Sequence, residues 1–188
     1  MPNLFYIIGS SGAGKDSLIN YVQHTMPHTT PLKFVQRYIT RPADAGGEDH
    51  IALSESDFLK MKQQNNFSMD WFSHETYYGI GIEINHWLSA GYNVIMNGSR
   101  GYLEEALIKY PNLVPVLISV DPLILSERLF SRGRENYKQI QQRVAQAIRL
   151  ENSVSHPRLE SIENNGTLKT AGTELLNLIN QHIKNKCA

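Results

Sequence analysis

Cysteine is almost absent from this chain of 188 residues, which has a single one, Cys187. One cysteine excludes an internal disulfide and a cysteine-based metal site, and it favours a reducing cytosol as the setting. An excess of one charge is also lacking, because 18 basic residues balance 18 acidic ones. This balance argues against a nucleic-acid partner bound over a broad surface, so any site for a polyanion has to be local.

Long hydrophobic runs are missing as well. The apolar stretch from Leu4 to Ile8 is too short to cross a bilayer and follows no basic leader, so we expect neither a signal peptide nor a membrane anchor. With 41% hydrophobic residues, the chain can bury a core without cross-links as one domain, 1–188. We therefore expect a cytoplasmic location.

Short apolar runs alternate with helix-like segments along the chain. Buried strands are predicted at Leu4 to Ile8, Tyr92 to Met96, Leu113 to Val120 and Leu159 to Glu163. Helices are predicted from Lys15 to about Met26, after Asp121-Pro122, and from Leu175 to Ile183. This alternation is typical of an α/β fold with a parallel sheet covered by helices on both faces.

A glycine-rich loop directly follows the first apolar run. Its glycines let the backbone turn tightly and aim N–H groups inward, and the next helix adds the positive end of its dipole. Lys15 then reaches the outer phosphates as a point charge. The pattern predicts a nucleotide-binding loop made of Gly9, Ser10, Ser11, Gly12, Ala13, Gly14, Lys15, Asp16 and Ser17.

Asp16 interrupts the usual form of this loop, in which Ser or Thr directly follows the lysine, and Ser17 comes one place later. A carboxylate beside a triphosphate is repelled unless a cation lies between them, and Mg²⁺ prefers oxygen ligands. We predict that Asp16 or Ser17 touches a magnesium ion, directly or through water. The alternative is that Asp16 only complements the helix dipole, which is worth about 0.3–1 kcal/mol.

The stretch from about 36 to 90 differs in character, because arginines and aromatic residues are frequent in it. We interpret it as an inserted acceptor-binding region, in which Arg37 and Arg41 can grip phosphate oxygens and tyrosine hydroxyls add uncharged donors. Arg41 begins a glycine-containing loop, where functional residues concentrate. Trp71 and Tyr77 are expected to belong to the core, since such rings bury large areas.

A second basic group lies at about 128–143. Arg128 and Arg132 are four residues apart and share a helix face, and Gly133 ends that helix. We expect a short lid over the transferring phosphoryl group, where an arginine can stabilise the transition state by roughly several kcal/mol. The alternative is a set of solvated surface arginines, which contribute little. The lid arginines are Arg128, Arg132, Arg134 and, one helix later, Arg143.

These motifs carry a family resemblance. The phosphate loop, Thr40-Arg41-Pro42, Ser54 with a helix after it, Tyr77-Tyr78-Gly79, and Arg128-Leu129 with Arg132-Gly133 resemble the guanylate kinase fold in order and spacing. The chain is more similar still to the ribose 1,5-bisphosphate phosphokinase family. That likeness lies in Gly14 to Ser17, Arg37 to Arg41, His50 to Ser54, Asn97 to Arg100 and Arg132 to Asn136.

The resemblance implies a three-layer P-loop kinase fold and an enzyme that uses a phosphate group as acceptor. ATP would phosphorylate the anomeric phosphate of ribose 1,5-bisphosphate to give 5-phosphoribosyl 1-diphosphate, in phosphonate breakdown, with Mg²⁺ as cofactor. Lys15, Arg132 and Arg134 would act on the transferring group. The substrate would be bound by Arg37, Arg41, His50, Tyr78, Asn97, Ser99, Arg100 and Arg143.

Departures from the guanylate kinase pattern imply that a guanine pocket is dismantled. Arg37 stands where that family has a small guanine-contacting residue, Asp44 where it has a second phosphate-gripping arginine, and His50 where it has a tyrosine. Asp70 is an exception, because it falls near the position where guanylate kinases have a carboxylate that contacts the base. Guanylate or another nucleoside monophosphate kinase therefore stays an alternative.

A phosphate acceptor needs no general base, since a phosphate monoester with a second pKa near 6 is already an oxyanion at neutral pH. The expected partners are accordingly small molecules, ATP and a phosphorylated ribose. A second alternative is a non-catalytic guanylate-kinase-like binding module, against which the intact Gly14-Lys15 pair and the lid arginines argue. Nothing in the sequence indicates the oligomeric state.

Overall fold

A five-stranded parallel sheet forms the centre of the molecule, in the order β2-β7-β1-β8-β9. The computed structural model describes residues 1–45, 48–133 and 135–184, so Arg134 and Cys187 lie outside the described residues. The strands of this sheet are β1 (Leu4–Gly9), β2 (Leu32–Phe34), β7 (Asn93–Asn97), β8 (Leu113–Ser119) and β9 (Glu160–Glu163).

Helices cover both faces of this sheet. They are α1 (Lys15–Thr25), α3 (Glu83–Ser89), α4 (Leu103–Lys109), α5 (Pro122–Ser131), α6 (Tyr137–Ser153) and α7 (Leu168–Lys184). Helix α2 (Glu55–Gln63) packs instead on a second, smaller sheet. Alternate residues of β1 point to opposite faces, as in any strand. Phe5 and Ile7 pack in the cluster under α1, α5, α6 and α7, and Tyr6 and Ile8 in the cluster under α3 and α4. The predicted three-layer α/β fold is confirmed.

A second, smaller sheet occupies the stretch that the sequence marks as an insertion. Its order is β4-β3-β6-β5, with the β3/β6 and β5/β6 pairs antiparallel. The strands are β3 (Tyr38–Ile39), β4 (Ile51–Ala52), β5 (Phe67–Ser73) and β6 (Thr76–Gly81), and α2 lies between β4 and β5. Its acceptor-binding role stays a prediction.

Local capping fixes where several helices begin. Ser54 Oγ accepts from Asp57 N at 3.1 Å ahead of α2, and Asp121 Oδ1 accepts from Leu123 N at 2.8 Å ahead of α5. At α6, Asn136 and Gln139 form a reciprocal capping box. Each cap satisfies backbone donors that the first turn leaves open.

The last helix starts seven residues earlier than the predicted Leu175. Thr167 Oγ1 accepts from Thr170 N at 3.2 Å and so starts α7 at Leu168. Gly172 lies inside this helix, where a Cβ would come within 2.3 Å of the Tyr21 ring. The close approach of α7 to α1 therefore requires glycine here. Within the described ranges, no helix has both the length and the apolar character needed to cross a membrane.

Candidate active site

The phosphate loop joins β1 to α1 at the carboxyl edge of the central sheet. Gly12 and Gly14 have φ of +98° and +89°, in the left-handed region that favours glycine. A Cβ on Gly12 would lie 2.9 Å from Leu125 Cδ1, so a larger residue here would have to displace that side chain. The loop ends on the free N–H groups that begin α1, a natural site for an anion.

Lys15 is folded back onto this loop. Its Nζ donates to Gly9 O at 3.0 Å and to Ser10 O at 3.2 Å. Although the residue as a whole is half-buried, these carbonyls enclose its ammonium group, and burial lowers the pKa of Lys15 from its usual 10.5 to about 8. The carboxylate of Asp16 opposes that shift, while the nearby charges of Arg37 and Arg100 add to it. Three cationic side chains therefore converge near the loop.

Asp16 and Asn97 meet beside the lysine. Asn97 Nδ2 donates to Asp16 Oδ1 at 2.6 Å, and Asn97 is only 6% exposed. Its own Oδ1 is buried and has no hydrogen-bond partner among the described residues. A carboxylate beside an orphaned carbonyl oxygen fits Mg²⁺, which takes hard oxygen ligands.

The metal site is not complete in protein ligands alone. In the described ranges, no group of three or more His, Cys, Asp or Glu residues could hold a metal ion. Mg²⁺ commonly uses one or two protein ligands, with phosphates and water supplying the rest. Ser17 is exposed on the first turn of α1. The predicted contact of Asp16 or Ser17 with the metal stays a prediction.

A polar cavity of about 330 Å³ opens next to Asp16. It lies between α1 and the segments that follow β2 and precede β4. Carboxylates and amides dominate its lining, which includes Asp16, Asn20, Gln23, Gln36, Glu48, Asp49 and Asn97. Such a lining accepts hydrogen bonds from hydroxyl groups and repels anions.

Arg37 follows Gln36, which lines this cavity, and its side chain is held by three neighbouring side chains. Its guanidinium forms a two-pronged ion pair with Glu48, and Nε donates to Oε2 at 2.8 Å. The guanidinium also lies 4.9 Å from the ring centre of Tyr78 and 5.8 Å from that of Trp71, two rings that are stacked on each other. Both partners of the ion pair are 11% exposed. Arg37 is thus fixed in place.

His50 connects two backbone segments. Its Nε2 lies 3.0 Å from Arg41 O and its Nδ1 3.0 Å from Glu48 O, and the residue is 7% exposed. Both ring nitrogens therefore face backbone carbonyls. Arg41 Nε, in contrast, is buried and has no hydrogen-bond partner among the described residues. Among the described residues, Arg41 thus keeps one guanidinium donor available for an anion, while His50 holds the backbone around it.

The end of β7 adds a further cation. Tyr6 OH donates to Ser99 O at 3.0 Å and accepts from Ser99 N at 2.9 Å, which fixes the backbone after the strand. Burial raises the pKa of this tyrosine. Arg100 follows, and its Nη1 is buried without a hydrogen-bond partner in the described part of the chain. Burial lowers the pKa of Arg100, and the Glu151 carboxylate counteracts that shift.

The predicted lid lies on the donor side of the site. Arg128 Nη2 donates to Asn164 O at 2.8 Å, and Arg143 pairs with Glu135 at 2.8 Å while reaching Ser11 Oγ at 3.5 Å. Arg132 is exposed at the end of α5, where Gly133 turns the chain at φ +63°. Arg134 lies outside the described residues. Arg143 is therefore next to the phosphate loop.

Sequence reasoning missed two residues of this site, Glu48 and Asn164. Glu48 is the partner of Arg37, 11 positions away, and Asn164 Nδ2 donates to Ala13 O at 2.7 Å across 151 positions. Asn164-Asn165-Gly166 shows only as a turn signal after the last predicted strand. No local pattern indicates which distant backbone group such a side chain meets.

Comparison with known proteins agrees with this geometry. The family model for guanylate kinase matches residues 1–182. A crystal structure of guanylate kinase from Anaplasma phagocytophilum aligns with a TM-score of 0.73 at 12% identity, covering 96% of this chain and 86% of that one. A gluconokinase from Sinorhizobium meliloti 1021 aligns with a TM-score of 0.53 at 16% identity, covering 98% and 95%. At such identities, these structures show the fold alone.

Two curated relatives are much more similar in sequence. The protein "Ribose 1,5-bisphosphate phosphokinase PhnN" of Psychromonas ingrahamii is 47% identical, over 96% of this chain and 92% of its own length. The protein of the same name from Thiobacillus denitrificans is 46% identical, over 98% and 96%.

The parallel sheet, the phosphate loop and the enclosed lysine define a P-loop phosphotransferase. On the similarity just described, the chain belongs to the guanylate kinase family and, within it, to the ribose 1,5-bisphosphate phosphokinases.

Proposed function

We propose that this chain transfers the γ-phosphoryl group of ATP to the C1 phosphate of ribose 1,5-bisphosphate. The bond between the γ-phosphorus and its bridging oxygen breaks, and an oxygen of the C1 phosphate bonds to that phosphorus. The products are ADP and 5-phosphoribosyl 1-diphosphate. The observation that carries this proposal is the 47% identity, over nearly the whole of both chains, to a relative named for this reaction. A role in phosphonate breakdown, in the cytoplasm, is part of the proposal.

The donor side rests on the phosphate loop. Its backbone N–H groups and Lys15 hold the outer phosphates, and Lys15 exchanges its bonds to Gly9 and Ser10 for bonds to phosphate oxygens. Asp16 and Asn97 would hold the metal. When bound with ATP, Mg²⁺ would neutralise the charge of the outer phosphates. Arg143 stabilises the phosphate loop through its contact with Ser11.

The acceptor side follows from the charge pattern. A ribose bisphosphate carries an anion at each end and neutral hydroxyls between. The structure offers a polar, hydroxyl-accepting cavity beside Asp16, and the charges of Arg37 and Arg100 lie near Lys15. Arg41 and Arg100 take acceptor phosphate oxygens, since each has a buried donor without a partner in the described ranges. The cavity beside Asp16 takes the sugar hydroxyls. Positioning of two anions among fixed cations is the main source of catalysis.

The lid arginines supply positive charge opposite the transferring phosphoryl group. Arg132 and Arg134 neutralise the transferring group when the segment closes, as arginines do in other phosphoryl transfers. Arg132 has an exposed side chain at the end of α5, next to the turn at Gly133, which supports such a role.

Two features disfavour a guanine nucleotide as the acceptor. Arg37 fills the space next to the Trp71 and Tyr78 rings, and its charge is already matched by Glu48. Asp70, the candidate base-reading carboxylate, is paired with Lys62 at 2.8 Å. A purine would have to displace these contacts.

A direct comparison of acceptors tests the proposal. ADP formation is followed in a coupled assay with ATP, Mg²⁺ and either ribose 1,5-bisphosphate or GMP as acceptor. We expect kcat/KM to be higher with ribose 1,5-bisphosphate. Higher kcat/KM with GMP would establish the nucleoside monophosphate kinase alternative. Failure of the chain to bind ATP with Mg²⁺ would establish the non-catalytic module.

A further inference from the structure

Asn164 follows β9 and reaches back to the phosphate loop. The residue is 5% exposed, and its Nδ2 donates to Ala13 O at 2.7 Å. Its backbone N donates to Ser119 O at 2.9 Å and its backbone O accepts from Arg128 Nη2 at 2.8 Å. One buried residue thus joins the loop through its side chain, and the end of β8 and helix α5 through its backbone.

The bond to Ala13 O fixes the orientation of the peptide between Ala13 and Gly14. In a trans peptide the C=O and N–H groups point in opposite directions. Because Ala13 O points to Asn164, the N–H of Gly14 points away from Asn164. Glycine at Gly14 would otherwise let this peptide rotate, since glycine tolerates both signs of φ.

The fit between Asn164 and Gly14 is close. A Cβ on Gly14 would lie 2.5 Å from Asn164 Nδ2, which is closer than the usual contact distance between nonbonded atoms. Gly14, with φ of +89°, therefore serves both the turn and the approach of the amide. The glycine gives the loop its shape, and the asparagine removes the freedom that the glycine introduces.

We propose that Asn164 is a positioning residue for the ATP phosphates. Its side-chain amide holds the Ala13–Gly14 peptide so that the Gly14 N–H faces the phosphate site, and its backbone carbonyl accepts from Arg128 of α5. It acts through the loop. The inference rests on the proposed function only in taking ATP as the phosphoryl donor.

The test compares Asn164→Ala and Asn164→Asp with the wild-type chain. Asn165→Ala is the matched control, because Asn165 lies in the same turn and its Oδ1 accepts from Asp121 N at 2.7 Å, away from the loop. Affinity for ATP with Mg²⁺ is measured by calorimetry, KM for ATP and for the acceptor by kinetics, and stability by urea unfolding.

We expect Asn164→Ala to weaken ATP binding about tenfold, the size of one lost hydrogen bond to a buried group. Asn164→Asp should weaken it more, because a carboxylate oxygen would face the Ala13 carbonyl. The KM for the acceptor should stay unchanged in both variants. Folded Asn165→Ala should bind ATP with wild-type affinity, even if its free energy of unfolding is lower.

Two results would overturn the inference while leaving the proposed function standing. One is wild-type ATP affinity in folded Asn164→Ala and Asn164→Asp. The other is an equal loss of ATP affinity in Asn165→Ala, which would show a general effect of the turn. If Asn164→Ala does not fold, Asn164→Ser takes its place in the same comparison. A wild-type chain that binds no ATP would instead refute the proposed function.

Discussion

Asn97 Nδ2 donates to Asp16 Oδ1 at 2.6 Å, and this bond joins the end of β7 to the first turn of α1. The amide holds one oxygen of the carboxylate while its own Oδ1 stays without a hydrogen-bond partner in the described part of the chain. Asp16, the departure from the usual loop pattern, is therefore built into the site. Its contact with a metal ion stays a prediction.

Asp16→Asn should raise the Mg²⁺ concentration needed for half-maximal activity by at least about tenfold, as loss of a metal-site group does in other proteins. The substitution keeps the shape and removes the charge. A magnesium titration at saturating ATP measures the effect, with Asp49→Asn, a second carboxylate of the same cavity, as the control. An unchanged magnesium dependence in Asp16→Asn would remove Asp16 from the metal site.

ATP binding should become coupled to a proton at Lys15. The free protein holds the pKa of Lys15 at about 8, and bound phosphates favour the charged form and raise it. At pH 8, binding should therefore take up about half a proton, and ATP affinity should fall as the pH rises above this value. Calorimetry in two buffers of different ionisation enthalpy measures the uptake. Lys15→Ala should show no proton uptake from this group. Its turnover should fall sharply although the variant stays folded.

The same shift has a consequence for folding. Because the folded pKa of about 8 lies below the usual 10.5, the unfolded chain binds more protons between these values. The contribution of Lys15 to the free energy of unfolding is thus most unfavourable below pH 8 and improves as the pH rises towards 10.5. Urea unfolding of the wild type and Lys15→Met across this window measures the difference. The free energy of unfolding of the wild type should rise with pH relative to that of Lys15→Met. A fall relative to Lys15→Met would contradict this sign.

Glu48→Gln should destabilise the protein by about 3 kcal/mol or more, since it leaves the charge of Arg37 buried without its partner. The double variant Arg37→Met with Glu48→Leu should be more stable than Glu48→Gln alone, because both charges are then removed. Urea unfolding measures all three proteins. Equal stability of Glu48→Gln and the wild type would mean that the ion pair contributes little.

Arg41→Ala should raise the KM for the acceptor by about tenfold or more while changing the KM for ATP little, the expected size for a lost charged hydrogen bond. Arg41→Lys should restore only part of the loss, because an ammonium group cannot grip two oxygens as a guanidinium does. Initial rates with each substrate varied in turn give both constants. An effect confined to ATP would place Arg41 on the donor side.

Much of the central fold is predictable because its signals are local. The apolar run of β1, the glycines before Lys15, and Asp121-Pro122 at the start of α5 each determine structure within a few residues. The start of α7 is less clear from sequence, because Gly172 weakens the helical pattern there. Its role becomes visible only when Tyr21 of α1 is seen against it.

The site is less predictable, because its residues act through partners that are distant in sequence. Arg37 and His50 stand out as candidates, yet their contacts with Glu48 and with two backbone carbonyls depend on how the small sheet folds. The Asn164 contact with Ala13 depends on the order of strands in the central sheet. Residue type and spacing indicate the chemistry, and the fold determines which groups are free to perform it.

The identity of the product tests the central claim most directly. The chain is incubated with Mg²⁺, ribose 1,5-bisphosphate and ATP labelled in its γ-phosphate, and the products are identified by phosphorus NMR. We expect the label in the outer phosphate of a diphosphate on C1 of the sugar, in an amount equal to the ADP formed. Label found only in inorganic phosphate, or on another position of the sugar, would contradict the proposed reaction.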